Sequence, residues 1–230
     1  MVIAGLQNLS LVDYPGCLAS TVFLQGCNFR CGYCHNPDLI SMGKNFEFTE
    51  KEFFDFADQR KNFIEGVVIS GGEPTLYEEI PEFIKRIKDL GFKVKLDTNG
   101  SNPEQLDMLL RERLLDMVAI DIKTSFERYS LVTDDENIQT KVTRSIYLAM
   151  LSTVPYEFRT TCAPGIVSEE DIRKIAETVN GAENYCLQQF HPRSTYDTDF
   201  QEVTPYEGET IKKFKSILEE HVKEVTIRGV

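Results

Sequence analysis

The chain has 230 residues, 41% hydrophobic and 27% charged, the balance of an ordinary soluble globular protein with enough length for one well-buried core. Its formal net charge of −12 argues against nonspecific binding to phosphate backbones, so nucleic acid is not an expected ligand. No apolar run approaches a membrane span and no basic leader precedes an apolar core at Met1, so a cytoplasmic protein without membrane association is expected.

Apolar, β-branched runs alternate with amphipathic stretches along the whole chain. Strands are predicted at 19–24, 66–70, 92–97, 117–123, 157–162 and 184–189, with helices at 49–63, 76–90, 102–115, 137–153, 168–179 and 206–222. Thr49 with Glu52, and Ser168 with Asp171, place a hydroxyl three residues before a carboxylate, the pattern that satisfies the free N–H groups of a first helical turn. Gly91 and Gly181 stand where helices should stop. Such alternation implies parallel strands joined by right-handed crossovers, either as an open doubly wound sheet or as a curved barrel. Without a long linker, repeat or low-complexity tract, a single domain over 1–230 is expected.

Both architectures put active sites at the carboxyl ends of strands, and the chemically unusual residues fall there. After the first strand comes Gln25-Gly26-Cys27-Asn28-Phe29-Arg30-Cys31-Gly32-Tyr33-Cys34-His35-Asn36-Pro37. A Cys-x3-Cys-x2-Cys trio can bring three soft thiolates to one metal centre or iron–sulfur cluster. Three is informative, because a cubane has four irons and one would remain open to a small molecule. Three rival readings stand beside it. Cys31 to His35 matches the haem-attachment string, Cys27, Cys31, Cys34 and His35 could hold zinc, and the thiols could be plain core residues. The remaining cysteines, Cys17, Cys162 and Cys186, are scattered and read as structural.

The other strand ends carry Ser70-Gly71-Gly72-Glu73-Pro74, Asp97-Thr98-Asn99-Gly100, Asp121-Ile122-Lys123, Arg159 within the fifth strand, and His191 after the sixth. Gly71 and Gly72 would let a backbone edge approach a ligand, or simply form a tight turn. Asp97 and Asp121 on neighbouring strands could share a cation, with Lys123 a carboxylate partner or compensating charge. Arg159 could grip a carboxylate or face solvent, and His191 could contact a ligand or occupy a loop.

The cysteine spacing, Tyr33 before the third cysteine, the Gly-Gly-Glu segment and the alternating strands and helices resemble the radical S-adenosylmethionine (SAM) superfamily over nearly the whole chain. Cys-Asn-Phe-Arg-Cys-x-Tyr-Cys-His-Asn-Pro is similar to activating enzymes of glycyl radical enzymes. Leu9-Ser10-Leu11-Val12-Asp13-Tyr14-Pro15-Gly16 and Leu187-Gln188-Gln189-Phe190 look most like the branch that activates anaerobic ribonucleoside-triphosphate reductase. The resemblance implies an α/β fold, a partial (β/α)6 barrel of parallel strands. It implies a [4Fe–4S] cluster on Cys27, Cys31 and Cys34, with SAM chelating the open iron. By the same resemblance, Gly71, Gly72 and Glu73 border the methionine ammonium and Tyr33 the adenine. Asn99, Lys123, Arg159 and His191 surround the methionine carboxylate and ribose, with Asp97 and Asp121 around a monovalent cation. The implied partners are a glycyl radical enzyme as protein substrate and a flavodoxin or ferredoxin-type electron donor. No cysteine lies between Cys34 and Ser70, so no second cluster is expected there. The rival functions are pyruvate formate-lyase activation, radical chemistry on a small molecule such as a nucleoside precursor, and a noncatalytic zinc-binding module.

Overall fold

In the computed structural model, which describes residues 1–41 and 48–229, the predicted alternation is present and is extended at both edges. The strands are β1 (Ile3–Ser10), β2 (Ala19–Leu24), β3 (Gly66–Gly71), β4 (Lys93–Thr98), β5 (Met117–Asp121), β6 (Tyr156–Cys162), β7 (Asn184–Gln189) and β8 (Glu224–Arg228). They form one sheet in chain order; β1 pairs antiparallel with β2 and every later pair is parallel. The six predicted strands are β2 to β7, and the sequence reading missed β1 and β8. Each parallel step is bridged by a helix: α1 (Glu50–Arg60), α2 (Ile80–Asp89), α3 (Pro103–Arg111), α4 (Ile138–Leu151), α5 (Glu169–Thr178) and α6 (Gly208–Glu219). Six β/α units and a final strand thus make the expected partial barrel, and among the described residues β1 and β8 do not pair to close it.

Side chains alternate between the two faces of each strand, and here the faces differ in chemistry. Val67, Ile69, Val94, Leu96, Val118, Ile120, Phe158 and Leu187 are buried on the outer face with Phe53, Ile84, Leu109, Ile146, Ile175 and Phe214 of the helices. Each fully buried Val, Leu or Ile contributes on the order of 1.5–3 kcal/mol. This apolar layer supplies the stability that lets the opposite face carry charge. That inner face bears Lys95, Asp97, Asp121, Glu157, Arg159, Thr161 and Gln188. It is concave: Arg159 on β6 reaches Asp97 on β4 at 3.1 Å, and Arg228 on β8 grips Glu157 on β6 at 2.7 and 3.1 Å, each across an intervening strand.

The loop between β1 and β2 closes the amino-end pole. Tyr14 and Cys17 are buried against Ala19 and Val68, with Met117 packed beside them. Ser10 Oγ accepts from the Val12 and Asp13 amides, and Thr21 Oγ1 donates to Asp13 at 2.7 Å. Ser10 and Tyr14 of the Leu9–Gly16 string are therefore buried beneath the barrel, at the pole opposite the cysteines, while Leu9, Leu11 and Val12 are exposed there. No helix among the described residues is long and apolar enough to cross a membrane.

Both predicted capping boxes are formed, Thr49 with Glu52 on α1 and Ser168 with Asp171 on α5. Gly91 and Gly181 follow α2 and α5 at φ of 91° and 88°, the left-handed conformation in which helices commonly end. Ser168→Ala removes the hydroxyl that caps α5 and should lower stability by about 1 kcal/mol. Equilibrium chemical denaturation checks this, and an unchanged midpoint would refute it.

Candidate active site

The cysteine loop is held to the barrel by its backbone. Gly26 N–H donates to Leu39 O at 2.6 Å, Cys27 N–H to Ile40 O at 3.1 Å and Arg30 N–H to Val132 O at 2.7 Å. The end of β3 supplies the opposing edge, with Gly72 N–H bonded to Leu24 O at 2.8 Å and Glu73 N–H to Gly26 O at 2.7 Å. That approach is too close for side chains. A β-carbon on Gly72 would lie 2.0 Å from Gly26 O, and one on Gly71, whose φ is 122°, would lie 2.3 Å from the Leu24 backbone. The Gly-Gly pair is thus fixed first by contact with the cysteine loop.

Glu73 carries this junction onward to β4. Its fully buried carboxylate accepts from Thr75 N–H at 3.1 Å and Thr75 Oγ1 at 2.6 Å, from Thr98 Oγ1 at 2.6 Å, and from Asn99 N–H at 2.6 Å. Burial pushes its carboxyl pKa up, and these donors only partly offset that. Asn99 then returns to the cysteine loop, donating to Asn28 Oδ1 at 2.9 Å while Asn28 donates to Ser101 Oγ at 2.8 Å.

A cavity of about 250 Å³ opens where these elements meet. Of the residues singled out in the sequence, Cys27, Cys31, Tyr33, Cys34, His35, Gly71, Gly72, Asp97, Asn99, Asp121 and Lys123 line it. Glu73, Arg159 and His191 do not. Glu73 lies behind the wall, Arg159 lies between Asp97 and Asp121, and His191 is exposed beyond β7. The cavity also takes Ser70, Thr98, Thr161 and Gln188, which sequence reasoning missed. A signal existed for Thr161: it stands two residues after Arg159, hence on the same strand face, and it pairs in register with Gln188.

Charge is concentrated on the wall facing the thiols. Arg159 Nε donates to Asp121 at 2.7 Å and its Nη1 to Asp97 at 3.1 Å, Lys123 pairs with Asp121 at 3.0 Å, and Lys95 pairs with Asp97. Burial alone would raise both carboxyls. Arg159 together with Lys95 at Asp97, and with Lys123 at Asp121, outweighs burial and holds both below the usual carboxylate range. Arg159 is thus a partner of both carboxylates, alongside Lys95 at Asp97 and Lys123 at Asp121.

Burial pushes the Cys27 thiol up to about 12 and the Cys31 thiol to about 11, while Lys123 pulls both back toward the thiolate. The Tyr33 hydroxyl is buried without a hydrogen bond of ordinary geometry, and its influence falls on the Cys31 sulfur, whose thiolate it favours. Among the described residues, no three His, Cys, Asp or Glu side chains gather at the distance of a single metal ion. His35, the fourth ligand of the zinc reading, is exposed and stacks on Phe190 at 5.9 Å between centroids.

The sequence model of the Radical SAM superfamily matches residues 21–179, the span from β2 through α5 that carries the cysteine loop and most of the cavity wall. The chain belongs to the radical SAM superfamily. It is 36% identical, over 100% of its length and 96% of the relative's, to a Methanocaldococcus jannaschii protein provisionally named a glycyl-radical enzyme activating enzyme. It is 28% identical to the pyruvate formate-lyase-activating enzyme of Clostridium pasteurianum, over 95% of this chain and 97% of that one. Among solved structures, Streptococcus suis SuiB bound to S-adenosylmethionine shares the fold with a TM-score of 0.66 at 14% identity. The match covers 91% of this chain and 52% of SuiB, about half of that protein's length. The chain is thus a radical SAM enzyme of the glycyl-radical-enzyme activating family, with a [4Fe–4S] cluster and S-adenosyl-L-methionine as cofactors. The residues present fit these groups, since three soft thiols share one wall with a buried, unpartnered Tyr33 hydroxyl and face a polar wall across the cavity.

Arg159→Met would leave Asp97 and Asp121 with only Lys95 and Lys123, and it should cost about 3–5 kcal/mol at neutral pH. Both carboxyls are held low in the wild type, so its stabilisation is present above the unfolded carboxylate pKa of about 3.9 and is lost as pH falls below it. In the variant the carboxyls can protonate, so the gap between the two proteins should narrow from pH 7 toward pH 4. Denaturation across that range checks this, and a constant gap would count against the ion network.

Proposed function

We propose that this chain installs a glycyl radical on a partner protein, an anaerobic ribonucleoside-triphosphate reductase. The observation that carries the reading is a single cavity whose walls join three thiols to a polar, charge-compensated floor, in a chain similar along its whole length to a glycyl-radical enzyme activating enzyme. The choice of reductase rests on the resemblance of Leu9–Gly16 and Leu187–Phe190 to that branch.

In this reading Cys27, Cys31 and Cys34 hold the cluster, and Tyr33 lies beside the adenine. Gly71 and Gly72 border the methionine ammonium, while Asn99 and Lys123 meet the carboxylate and ribose. Glu73 and Arg159 act at one remove: Glu73 sets the Asn99 backbone, and Arg159 keeps Asp97 and Asp121 ionised and in place. His191 belongs to the outer rim. When bound, the two cofactors supply one-electron cleavage of a carbon–sulfur bond and with it the power to remove a hydrogen from carbon. The chain's own part is to bind, orient and exclude, because such chemistry is selective only when the target C–H is positioned and others are kept away. A glycine Cα–H suits a narrow cavity, since without a side chain the backbone itself can enter. A flavodoxin or ferredoxin-type protein delivers the electron.

Anaerobically reconstituted enzyme, reduced by a one-electron donor in the presence of S-adenosylmethionine and the partner reductase, should give a glycine-centred doublet in electron paramagnetic resonance, and Cys31→Ser should abolish it. The 28% full-length identity to the Clostridium enzyme favours pyruvate formate-lyase as the second reading, and substituting that protein in the same assay separates the two. Absence of a glycyl signal with either partner, alongside 5′-deoxyadenosine release that needs only a metabolite, would overturn the protein-substrate reading.

A further inference from the structure

The stretch that follows β7 has no role in the account so far, yet it lies against the cysteine loop. Asp197 N–H donates to Gly32 O at 2.9 Å. A β-carbon built on Gly32 would come within 2.6 Å of Phe200 Cε2, 3.0 Å of Phe200 Cδ2 and 3.4 Å of Asp197 Cβ. Phe200 also meets Tyr33 edge-on at 6.3 Å between ring centroids, and Phe190, the residue just after β7, at 6.0 Å. Gly32 is not among the glycines with positive φ, so its backbone places no special demand for glycine. The nearness of Phe200 does.

The stretch is itself well fixed. Thr195 is buried, and its hydroxyl donates to Asp197 O at 2.7 Å. Asp197 caps the following turn through the Asp199 N–H at 3.0 Å, and Phe200 N–H bonds to Asp197 O at 3.1 Å. Further on, Gln189 Nε2 donates to Tyr206 O at 2.8 Å, and Tyr206 Oη to Val167 O at 2.8 Å. A segment tied at its base, its middle and its far end is built as a fastening rather than as a swinging cover.

We propose that the segment from Thr195 to Phe200 is a clasp on the cysteine loop, with Asp197 and Phe200 as positioning residues that hold Cys31 and Cys34 in place for the cluster, and Gly32 as the notch that admits Phe200. This rests on the part of the functional reading that puts the cluster on these thiols, and not on the identity of the protein partner. The loop between Cys31 and Cys34 has one internal backbone bond, Cys34 N–H to Cys31 O at 3.0 Å, so its shape depends on what packs against it.

The test is a double-mutant cycle on the reconstituted, partner-free holoenzyme, reading iron and sulfide per chain and the rate at which a chelator strips iron. Phe200→Ala should speed iron loss about tenfold, the scale of one aromatic contact with its burial. Gly32→Ala should do the same in the wild-type background and have little further effect when Phe200 is already alanine, because the clash is gone. Phe200→Leu, which keeps apolar bulk, should fall between wild type and Phe200→Ala. The thermal midpoint of the cluster-free chain should stay near wild type in every variant. Unchanged iron loss in Phe200→Ala overturns the proposal, as does a Gly32→Ala effect that is equal in both backgrounds. A fall in cluster-free stability that accounts for the whole change in iron loss would reduce Phe200 to ordinary packing and also overturn it. Because no partner enters these measurements, a missing glycyl signal would sink the functional reading and leave the clasp standing.

Discussion

The backbone contact between the end of β3 and the start of the cysteine loop is the constraint on which the rest of the site depends. Two hydrogen bonds, from Gly72 N–H to Leu24 O and from Glu73 N–H to Gly26 O, bring the main chains together at a distance only glycine tolerates. From there the connections run in a circuit. Glu73 fixes the Thr98 hydroxyl and the Asn99 amide at the end of β4, and Asn99 returns to the loop through Asn28. The thiols are therefore located by two strand ends at once, and a shift in either would be transmitted to Cys27.

The second organising principle is electrostatic. Charged side chains on a buried concave face carry a desolvation cost that only mutual pairing can offset. Lys95, Asp97, Glu157, Arg159, Asp121, Lys123 and Arg228 meet this by forming one continuous set of contacts from β4 to β8. The set contains four cations and three anions, and one of the cations, Lys123, stands on the cavity wall, where it favours the thiolate forms of Cys27 and Cys31. Ligation needs those sulfurs deprotonated against the strong upward push of burial, so the surplus positive charge lies where it lowers that barrier. Arg159 lies between the Asp97 and Asp121 carboxylates and donates to both.

The alternation of strands and helices was legible because β2 to β7 are short apolar runs bounded by turn residues, and the helix caps were legible because Thr49–Glu52 and Ser168–Asp171 are local chemistry. β1 was missed because Ile-Ala-Gly-Leu-Gln-Asn-Leu-Ser lacks a steady two-residue period and pairs irregularly, with register shifts at two points. β8 was missed because Glu-Val-Thr-Ile-Arg has no apolar run of the kind that marks β2 to β5. At the site, residues at strand ends could be found by rule, whereas Lys95 and Glu157 sit deeper along the strands, where a polar residue ordinarily signals a solvent-facing side. Only curvature turns that side into an interior. Phe200 was invisible for another reason: it lies far from Gly32 in sequence, and its contact is made by an irregular stretch with no periodicity to read.

The Leu9–Gly16 string shows how a signature and a mechanism can part company. It resembles one branch of the activating enzymes, yet its Tyr14, with the neighbouring Cys17, packs against Ala19 and Val68 at the barrel floor. β2 has six residues, which at about 3.3 Å per residue puts its start roughly 20 Å from the loop that carries the thiols. A residue at that distance behind a packed floor cannot touch a substrate entering at the other pole. Packing at this pole thus accounts for the buried Ser10 and Tyr14 of the string, while its Leu9, Leu11 and Val12 are exposed. At the carboxyl-end rim, where the cavity opens, the loops after β5 and β7 instead expose Leu131 and Tyr196 beside the cysteine loop's own neighbours, Val132 and Asp197.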